Sequence, residues 1–171
     1  MIFRLSQKLN AKIKAGDLPA LPLDENPFAD WSAHLFVANR TQYILLSNTK
    51  SLYSVVIYGK GITDEGRFIE RAVSSLREFM RTDEQDFILR RFIVAACATV
   101  RFAKALDRAV TGSMNELVFE SKMMLGEHDL SPFKLGFRLN DTLLSAIAPS
   151  KAEKYGKPRE AFRALAESIE P

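Results

Sequence analysis

Residues 33–47 read AHLFVANRTQYILLS, and this stretch decides the fold. Its two short apolar runs, Ala33–Ala38 and Gln42–Ser47, flank the segment 39–41, where Asn-Arg-Thr is typical of a tight turn. The pattern therefore predicts a β-hairpin. Apolar side chains fall on both faces of the two strands, so we expect a sheet that is covered, at least in part, on both sides.

Two further strands are predicted outside the hairpin. Met1–Leu5 is expected to form a first strand, followed by a short basic helix or turn; the alternative is a cationic amphipathic helix over residues 1–16, similar to a mitochondrial presequence. Leu52–Tyr58 is rich in Val, Ile and Tyr and predicts a strand after the hairpin, with a single helical turn in its first half as the alternative. Trp31, the only tryptophan, is expected to pack against the hairpin out of water.

The second half of the chain is predicted to be mostly helical. Helix starts are indicated by a Ser-x-x-Glu capping box at Ser113, by Ser131-Pro132 and by Pro158. Residues 98–105 fit either a strand or the continuation of a helix, because periodicity alone does not separate the two. The sum is one α+β domain over residues 1–171, in which a small, mostly antiparallel sheet from the N-terminal half packs with helices from the C-terminal half.

The composition is that of an ordinary globular chain and excludes several classes of protein. The 171 residues are 47% hydrophobic and 26% charged, enough to bury a core without disulfides. One cysteine cannot form an internal disulfide, and two histidines with one cysteine cannot complete a four-ligand Cys/His zinc site. We therefore expect neither a metal ion nor a cofactor.

The net charge of +3 is mild, and the two signs are mixed along the chain. Arginines between residues 67 and 91 could contact nucleic acid, but the glutamates among them favour a solvated mixed-charge surface. We expect no tight binding of duplex DNA, because so small an excess of charge cannot neutralise enough phosphates. No apolar run is long enough for a membrane span or a signal peptide, so we expect no membrane association and a cytoplasmic location.

The segment from Asp107 to Asn115, which reads DRAVTGSMN, is the most informative for function. If a helix begins at Ser113, the N–H groups of residues 113–115 point out of the helix start and Arg108 stands beside them. This arrangement can hold a phosphate or a carboxylate. In the structural alternative, Ser113 caps the helix, Gly112 supplies an unusual backbone angle, and Asp107 pairs with Arg108 or a neighbouring amide.

His34 is the candidate catalytic side chain. It lies in the first strand of the hairpin, and a histidine there serves either as an acid/base group or as a structural residue satisfied by its neighbours. His128 lies just past a predicted helix end. Neither histidine has a second His, Cys or acid at metal-ligand spacing.

The DRAVTGSMN segment also carries a family resemblance. The pattern DRxVxGSMN resembles the most distinctive motif of an uncharacterised family of small bacterial proteins, known only as a domain of unknown function. The resemblance spans about residues 1–165 and departs at Leu143, where a Pro-Met or Pro-Leu pair is expected, and at Ala105-Leu106, where a more polar pair is expected. The resemblance implies that the chain forms a single fold, and it supports the choice of these positions as candidate site residues. It implies no reaction. The other agreeing positions are Trp31-x-x-His34, Arg40, Asn48-x-x-x-Leu52-Tyr53, Leu139-Asn140-x-x-Leu143, Tyr155 and Pro158.

Two functions follow as hypotheses. The first is a cytoplasmic bacterial accessory or interaction protein, a non-enzymatic binding module whose partner is another protein or a phosphate-bearing small ligand. The alternative is an enzyme or sensor for a phosphate-bearing ligand, such as a nucleotide or a nucleic-acid end, with His34 as acid/base and the 107–115 segment holding the anion. Geometry separates them, because an enzyme needs its groups in one pocket. The predicted ligand-binding residues are Arg40, Asp107, Arg108, Gly112, Ser113 and Asn115.

Overall fold

The computed structural model describes residues 1–127, 129–150 and 152–169, and its centre is a five-stranded sheet in the order β4-β3-β2-β1-β5. Helices pack on both faces of this sheet. The α+β fold predicted from the sequence is confirmed. The strands are β1 (Ile2–Leu5), β2 (Asp30–Ala38), β3 (Thr41–Asn48), β4 (Ser54–Tyr58) and β5 (Arg101–Ala103).

The sheet is mixed, and its antiparallel part is the longer. β2 and β3 pair antiparallel over eight residue pairs, and β3 and β4 over five. β1 pairs parallel with β2 over four residue pairs and with β5 over three. The second of these pairings resolves the ambiguity over residues 98–105, because Arg101–Ala103 is held as a strand by its hydrogen-bonded neighbour β1.

The hairpin between β2 and β3 is the predicted one. Its loop has two residues, Asn39 and Arg40, with φ of 49° and 62°. Positive φ at both positions is the geometry of a type I′ turn, whose twist matches that of the flanking strands. The Asn39 amide donates to the carbonyl of Leu125 at 3.0 Å, which ties the turn to the helix packed over it.

Six α-helices and several single turns complete the described part of the chain. The helix starts predicted at Ser131 and Pro158 are confirmed; Ser131 Oγ accepts a hydrogen bond from the Lys134 amide at 3.2 Å. Within the described residues, no helix is long and apolar enough to cross a membrane. The helices are α1 (Gln7–Ile13), α2 (Glu65–Thr82), α3 (Asp86–Ile88), α4 (Arg108–Glu127), α5 (Pro132–Leu139) and α6 (Pro158–Glu167).

One face of the sheet packs against α1, α2 and α6. Trp31 lies at its centre with no exposed surface, which confirms its predicted burial, and its indole donates to the Phe28 carbonyl at 2.9 Å. Phe162 of α6 is equally buried; its ring stacks on Tyr53 at 4.3 Å between centroids and meets Phe28 edge-on at 5.0 Å. The C-terminal helix therefore closes this core.

The other face packs against α4 and α5. β2 points Phe36 and Ala38 to this side, where they meet the apolar side of α4. Both faces are thus covered, as the two-sided apolar pattern of the hairpin predicts. The contacts from the helices come from Met114, Leu117, Leu125, Leu135 and Leu139.

A buried ion pair joins the start of the chain to the sheet. Arg4 on β1 donates from Nε and Nη2 to the two carboxylate oxygens of Asp30 at 2.8 and 2.7 Å, and both side chains are buried. The same guanidinium donates to the carbonyls of Leu21 at 2.9 Å and Pro22 at 2.7 Å. Arg4 therefore holds the irregular connection between α1 and β2 against the sheet.

Candidate functional site

The DRAVTGSMN segment lies inside a helix and does not begin one at Ser113. α4 starts at Arg108, and Asp107 caps it: its Oδ1 accepts from the Val110 amide at 2.8 Å and its carbonyl from the Thr111 amide at 3.2 Å. The predicted cap at Ser113 is wrong. The N–H groups of residues 113–115 bond within the helix, because they lie more than a turn from its start.

The backbone at Gly112 is also ordinary helix. Among the described residues, the glycines with positive φ are Gly16 and Gly61, so the unusual angle expected at Gly112 is absent. Asp107 and Arg108 are exposed at the helix start. Of the structural roles considered for Asp107, the bond to a neighbouring amide is the one that forms.

Replacement of each cap candidate by alanine tests which residue caps α4. We expect Asp107→Ala to lower the free energy of unfolding by about 1 kcal/mol, because it removes the side-chain acceptor of the first turn. We expect Ser113→Ala to leave it unchanged or to raise it by up to about 0.5 kcal/mol, because alanine favours a helix interior. Urea unfolding of both variants measures this, and a larger loss for Ser113→Ala would contradict the assigned cap.

The predicted site residues do not converge on one point. Arg40 occupies the tip of the hairpin, beyond the end of β2, whereas His34 lies about 13 Å further back from that end, counted at 3.3 Å per residue. Arg108 lies on the first turn of α4, about 10 Å along the helix from Asn115. Of the predicted residues, His34 and Asn115 line a common cavity.

That cavity, here named the lysine cleft, has a volume of about 920 Å³ and lies between α1, β2 and α4. Residues 16–18 and 104–105 also line it. Its apolar wall includes Leu18, Leu35 and Val118. Its polar and charged lining consists of Ser6, Gln7, Lys8, Asn10, Asp17, His34, Lys104, Thr111, Asn115 and Lys122.

One stripe of α4 supplies a side of the cleft. Thr111, Asn115, Val118 and Lys122 follow each other at spacings of four, three and four, which places them on one helix face. The neighbouring stripe is apolar and buried against the sheet, which turns the first stripe toward β2. A mostly polar stripe beside a buried apolar one indicates a helix face that borders a cleft. The sequence contains this signal, and the prediction from the motif missed it.

The cleft carries an excess of positive charge. Three lysines, Lys8, Lys104 and Lys122, line it together with a single acid, Asp17. Among the described residues, none of the three lysines forms an ion pair with a carboxylate. Ammonium groups without a partner attract an anion into a concave site.

His34 stands half-buried on the β2 side of the cleft, opposite the α4 stripe. Burial lowers the pKa of His34 below its ordinary value, because desolvation disfavours the charged ring. The ring is therefore neutral at pH 7 and offers one donor and one acceptor. Within the part of the chain that the structure describes, no charged neighbour offsets this burial.

Metal binding finds no support in the described residues, where no group of three or more His, Cys, Asp or Glu is placed to hold an ion. His128 lies outside the residues that the structure describes. The chemistry available in the cleft is that of lysine, imidazole, hydroxyl and amide groups and of the single carboxylate of Asp17.

Comparison with known proteins gives a family and no activity. A protein-family model described as "Domain of unknown function (DUF6933)" matches residues 2–161. The resemblance to a domain of unknown function is confirmed. No curated protein matches the chain.

Proposed function

The chain belongs to the DUF6933 family, a domain of unknown function, and we propose from its geometry that it is a non-enzymatic binding module that takes a small phosphate-bearing ligand in the lysine cleft. The observation that carries this proposal is the convergence of Lys8, Lys104 and Lys122 on one concave site with a single acid. The bacterial source and the cytoplasmic location expected from the sequence stay predictions, as does the expected lack of tight binding to duplex DNA.

The size and lining of the cleft suit a ligand with one charged end. Small-molecule sites have volumes of about 300–1,000 Å³, and the lysine cleft, at about 920 Å³, falls in that range. Lysine binds phosphate as a point charge, and Thr111 and Asn115 add neutral donors on the same side. The apolar wall accepts the uncharged part of the ligand, such as a sugar face or a base.

A binding role is favoured over catalysis because the groups named for an enzyme are scattered. Arg40, Asp107 and Arg108 do not line the cleft that His34 lines, so the groups named for an enzyme are not assembled in one pocket. His34 itself has no carboxylate shifting its pKa, and an acid/base histidine is usually oriented and tuned by such a partner. The lysine cleft is a charged cavity with hydrogen-bonding groups, and such a cavity can bind and orient a ligand.

Removal of a cleft lysine should weaken ligand binding. We expect inorganic phosphate, adenosine monophosphate or ribose 5-phosphate to raise the melting temperature of the wild type, since a ligand at one hundred times its Kd stabilises by about 2.7 kcal/mol. We expect Lys104→Gln and Lys122→Gln each to weaken binding about tenfold, because each removes a charge from the phosphate site.

Two exposed cations outside the cleft serve as controls for that experiment. Lys60→Gln and Arg108→Ala should leave binding unchanged, because neither residue lines the cleft. The proposal is wrong if none of the three probes shifts the melting temperature, or if the control variants weaken binding as much as the cleft variants do.

His34 reports on the location of the anion through its pKa. In the free protein burial lowers the pKa of His34, and an anion beside the ring favours the charged form and raises that pKa. A proton is then taken up on binding, so affinity increases as the pH falls through the interval between the free and bound pKa values. An NMR titration of the His34 ring with and without inorganic sulfate measures this.

His34→Gln is the matched variant for the titration, because it keeps a polar side chain that does not ionise. In this variant sulfate binding should lose its pH dependence. A His34 pKa that stays in place when sulfate binds would locate the anion away from the cleft.

A further inference from the structure

A second concave surface lies on the outer side of α4, and its apolar side chains are exposed. We name it the Phe119 groove; it has a volume of about 480 Å³. Phe119 is 62% exposed, Leu143 is 60% exposed and Tyr155 is 55% exposed. Clustered apolar surface of this kind marks interaction sites, because a partner that covers it removes the apolar surface of several side chains from water at once. The lining residues are Asn115, Glu116, Phe119, Glu120, Tyr155 and the segment 142–145.

The wall of the groove is built before any partner binds. Leu144 and Gly156 exchange two backbone hydrogen bonds of 2.9 Å, which hold the Tyr155 backbone beside the segment 142–145. Gly156 allows this approach, because a Cβ there would stand 2.2 Å from the Ile147 carbonyl oxygen. A preformed wall lowers the conformational entropy that a partner must remove on binding.

The charge of the groove is negative. Glu116 and Glu120 lie one helical turn apart on α4, beside Phe119, and neither forms an ion pair with a described residue. The lining contains no lysine or arginine. A partner that brings cations gains attraction at both carboxylates, and one that brings anions is repelled.

A second copy of the chain does not fit this surface symmetrically. A twofold contact through the groove places the same patch on both sides, so four carboxylates would meet without a cation from the lining. An anionic lipid surface meets the same repulsion. The remaining occupant is a segment that is basic and carries an apolar anchor.

We propose that the Phe119 groove docks a short basic segment of a partner protein. An apolar side chain of the segment inserts between Phe119, Leu143 and Tyr155, and its Lys or Arg groups pair with Glu116 and Glu120. This surface adjoins the lysine cleft along α4, and Asn115 lines both, but none of the three cleft lysines lines the groove. The proposal therefore does not depend on the ligand proposed for the cleft.

Selection from a displayed library of short random peptides tests the proposal without knowledge of the partner. The wild-type protein is the target, and the double variant Glu116→Gln/Glu120→Gln is used for counter-selection. We expect the enriched peptides to combine Lys or Arg with a large apolar side chain. Labelled copies of them should bind the double variant at least about tenfold more weakly by fluorescence anisotropy, because the lost pairs contribute both attraction and register.

Matched controls separate the groove from the rest of the surface. Phe119→Ser should weaken the enriched peptides about tenfold, whereas Phe87→Ser, which changes an equally exposed ring on α3, should not. Glu78→Gln, an exposed carboxylate on α2, should also have no effect. Circular dichroism confirms that each variant folds.

Three results would overturn the proposal. These are the failure of any peptide to be enriched on the wild type, enriched peptides without basic residues, and enriched peptides that bind the double variant as tightly as the wild type. A dimer of the wild type in sedimentation that Phe119→Ser dissolves would assign the groove to a second copy of the chain and would also overturn it.

Discussion

We expect Arg4→Ala to lower the free energy of unfolding by about 3–5 kcal/mol, the cost of removing one partner from a buried ion pair. The carboxylate of Asp30 has no exposed surface, and in the variant it would keep, among the described residues, only the Asp24 amide at 3.1 Å as a donor. The carbonyls of Leu21 and Pro22 lose their donor as well. Urea unfolding followed by circular dichroism measures the change.

The exposed ion pair between Arg67 and Asp64 provides the contrast. Its nitrogen–oxygen distance is 3.5 Å and its side chains are 63% and 55% exposed, so Arg67→Ala should cost at most about 1 kcal/mol. In a double-mutant cycle, Arg4→Met with Asp30→Asn should cost less than the sum of the two single changes, because no charge is then left buried alone. A cost for Arg4→Ala no larger than that for Arg67→Ala would refute the structural role of the pair.

The second large effect is expected for Phe162→Ala, which should lower the free energy of unfolding by about 3–5 kcal/mol through the cavity that it leaves. The Phe162 ring has no exposed surface and packs between Tyr53, Phe28 and Trp31. Because Trp31 loses part of its cover, its emission in the native variant should also shift to longer wavelength. Urea unfolding and tryptophan fluorescence measure the two effects.

Phe87→Ala is the matched control, because its ring is 59% exposed. It should change the free energy of unfolding by no more than about 0.5 kcal/mol and leave the Trp31 emission in place. If Phe162→Ala behaved like this control, α6 would not be part of the core.

Polar contacts hold α6 against the rest of the fold, in addition to the packing of the Phe162 ring. Asp83, at the end of α2, accepts from the Tyr53 hydroxyl at 2.7 Å and pairs with Arg159 of α6. Burial raises the pKa of Tyr53, so its hydroxyl stays protonated and remains a donor to Asp83. α6, more than seventy residues further along the chain than Asp83, is thereby joined to the end of α2 and, through Tyr53, to the start of the edge strand β4.

α4 is the element from which both candidate surfaces are built. Its buried stripe packs on the sheet, the stripe with Thr111 and Lys122 lines the lysine cleft, and the stripe with Glu116 and Phe119 lines the groove. Asn115 stands between the two surfaces and borders both. One helix therefore presents a cationic and an acidic site on two of its flanks.

Several parts of this fold are determined by the local sequence. Two short apolar runs on either side of the turn at Asn39-Arg40 give a hairpin, because the propensity of such runs for strands and the φ values of a type I′ turn are short-range properties. The helix starts at Ser131 and Pro158 follow from capping and from the fixed φ of proline in the same way. The α+β class and the two-sided sheet could be predicted for this reason.

The tertiary structure decided between alternatives that local patterns favour equally. Asp107 and Ser113 are both good caps, and α4 begins at Arg108, with Asp107 as its cap, because the helix finds apolar partners on the sheet from Val110 onward. Arg4 meets Asp30 only because β1 and β2 pair in parallel. The lysine cleft joins residues 5–18, 34–37 and 104–122, whose proximity depends on strand order and helix packing, and no periodicity within one segment encodes either.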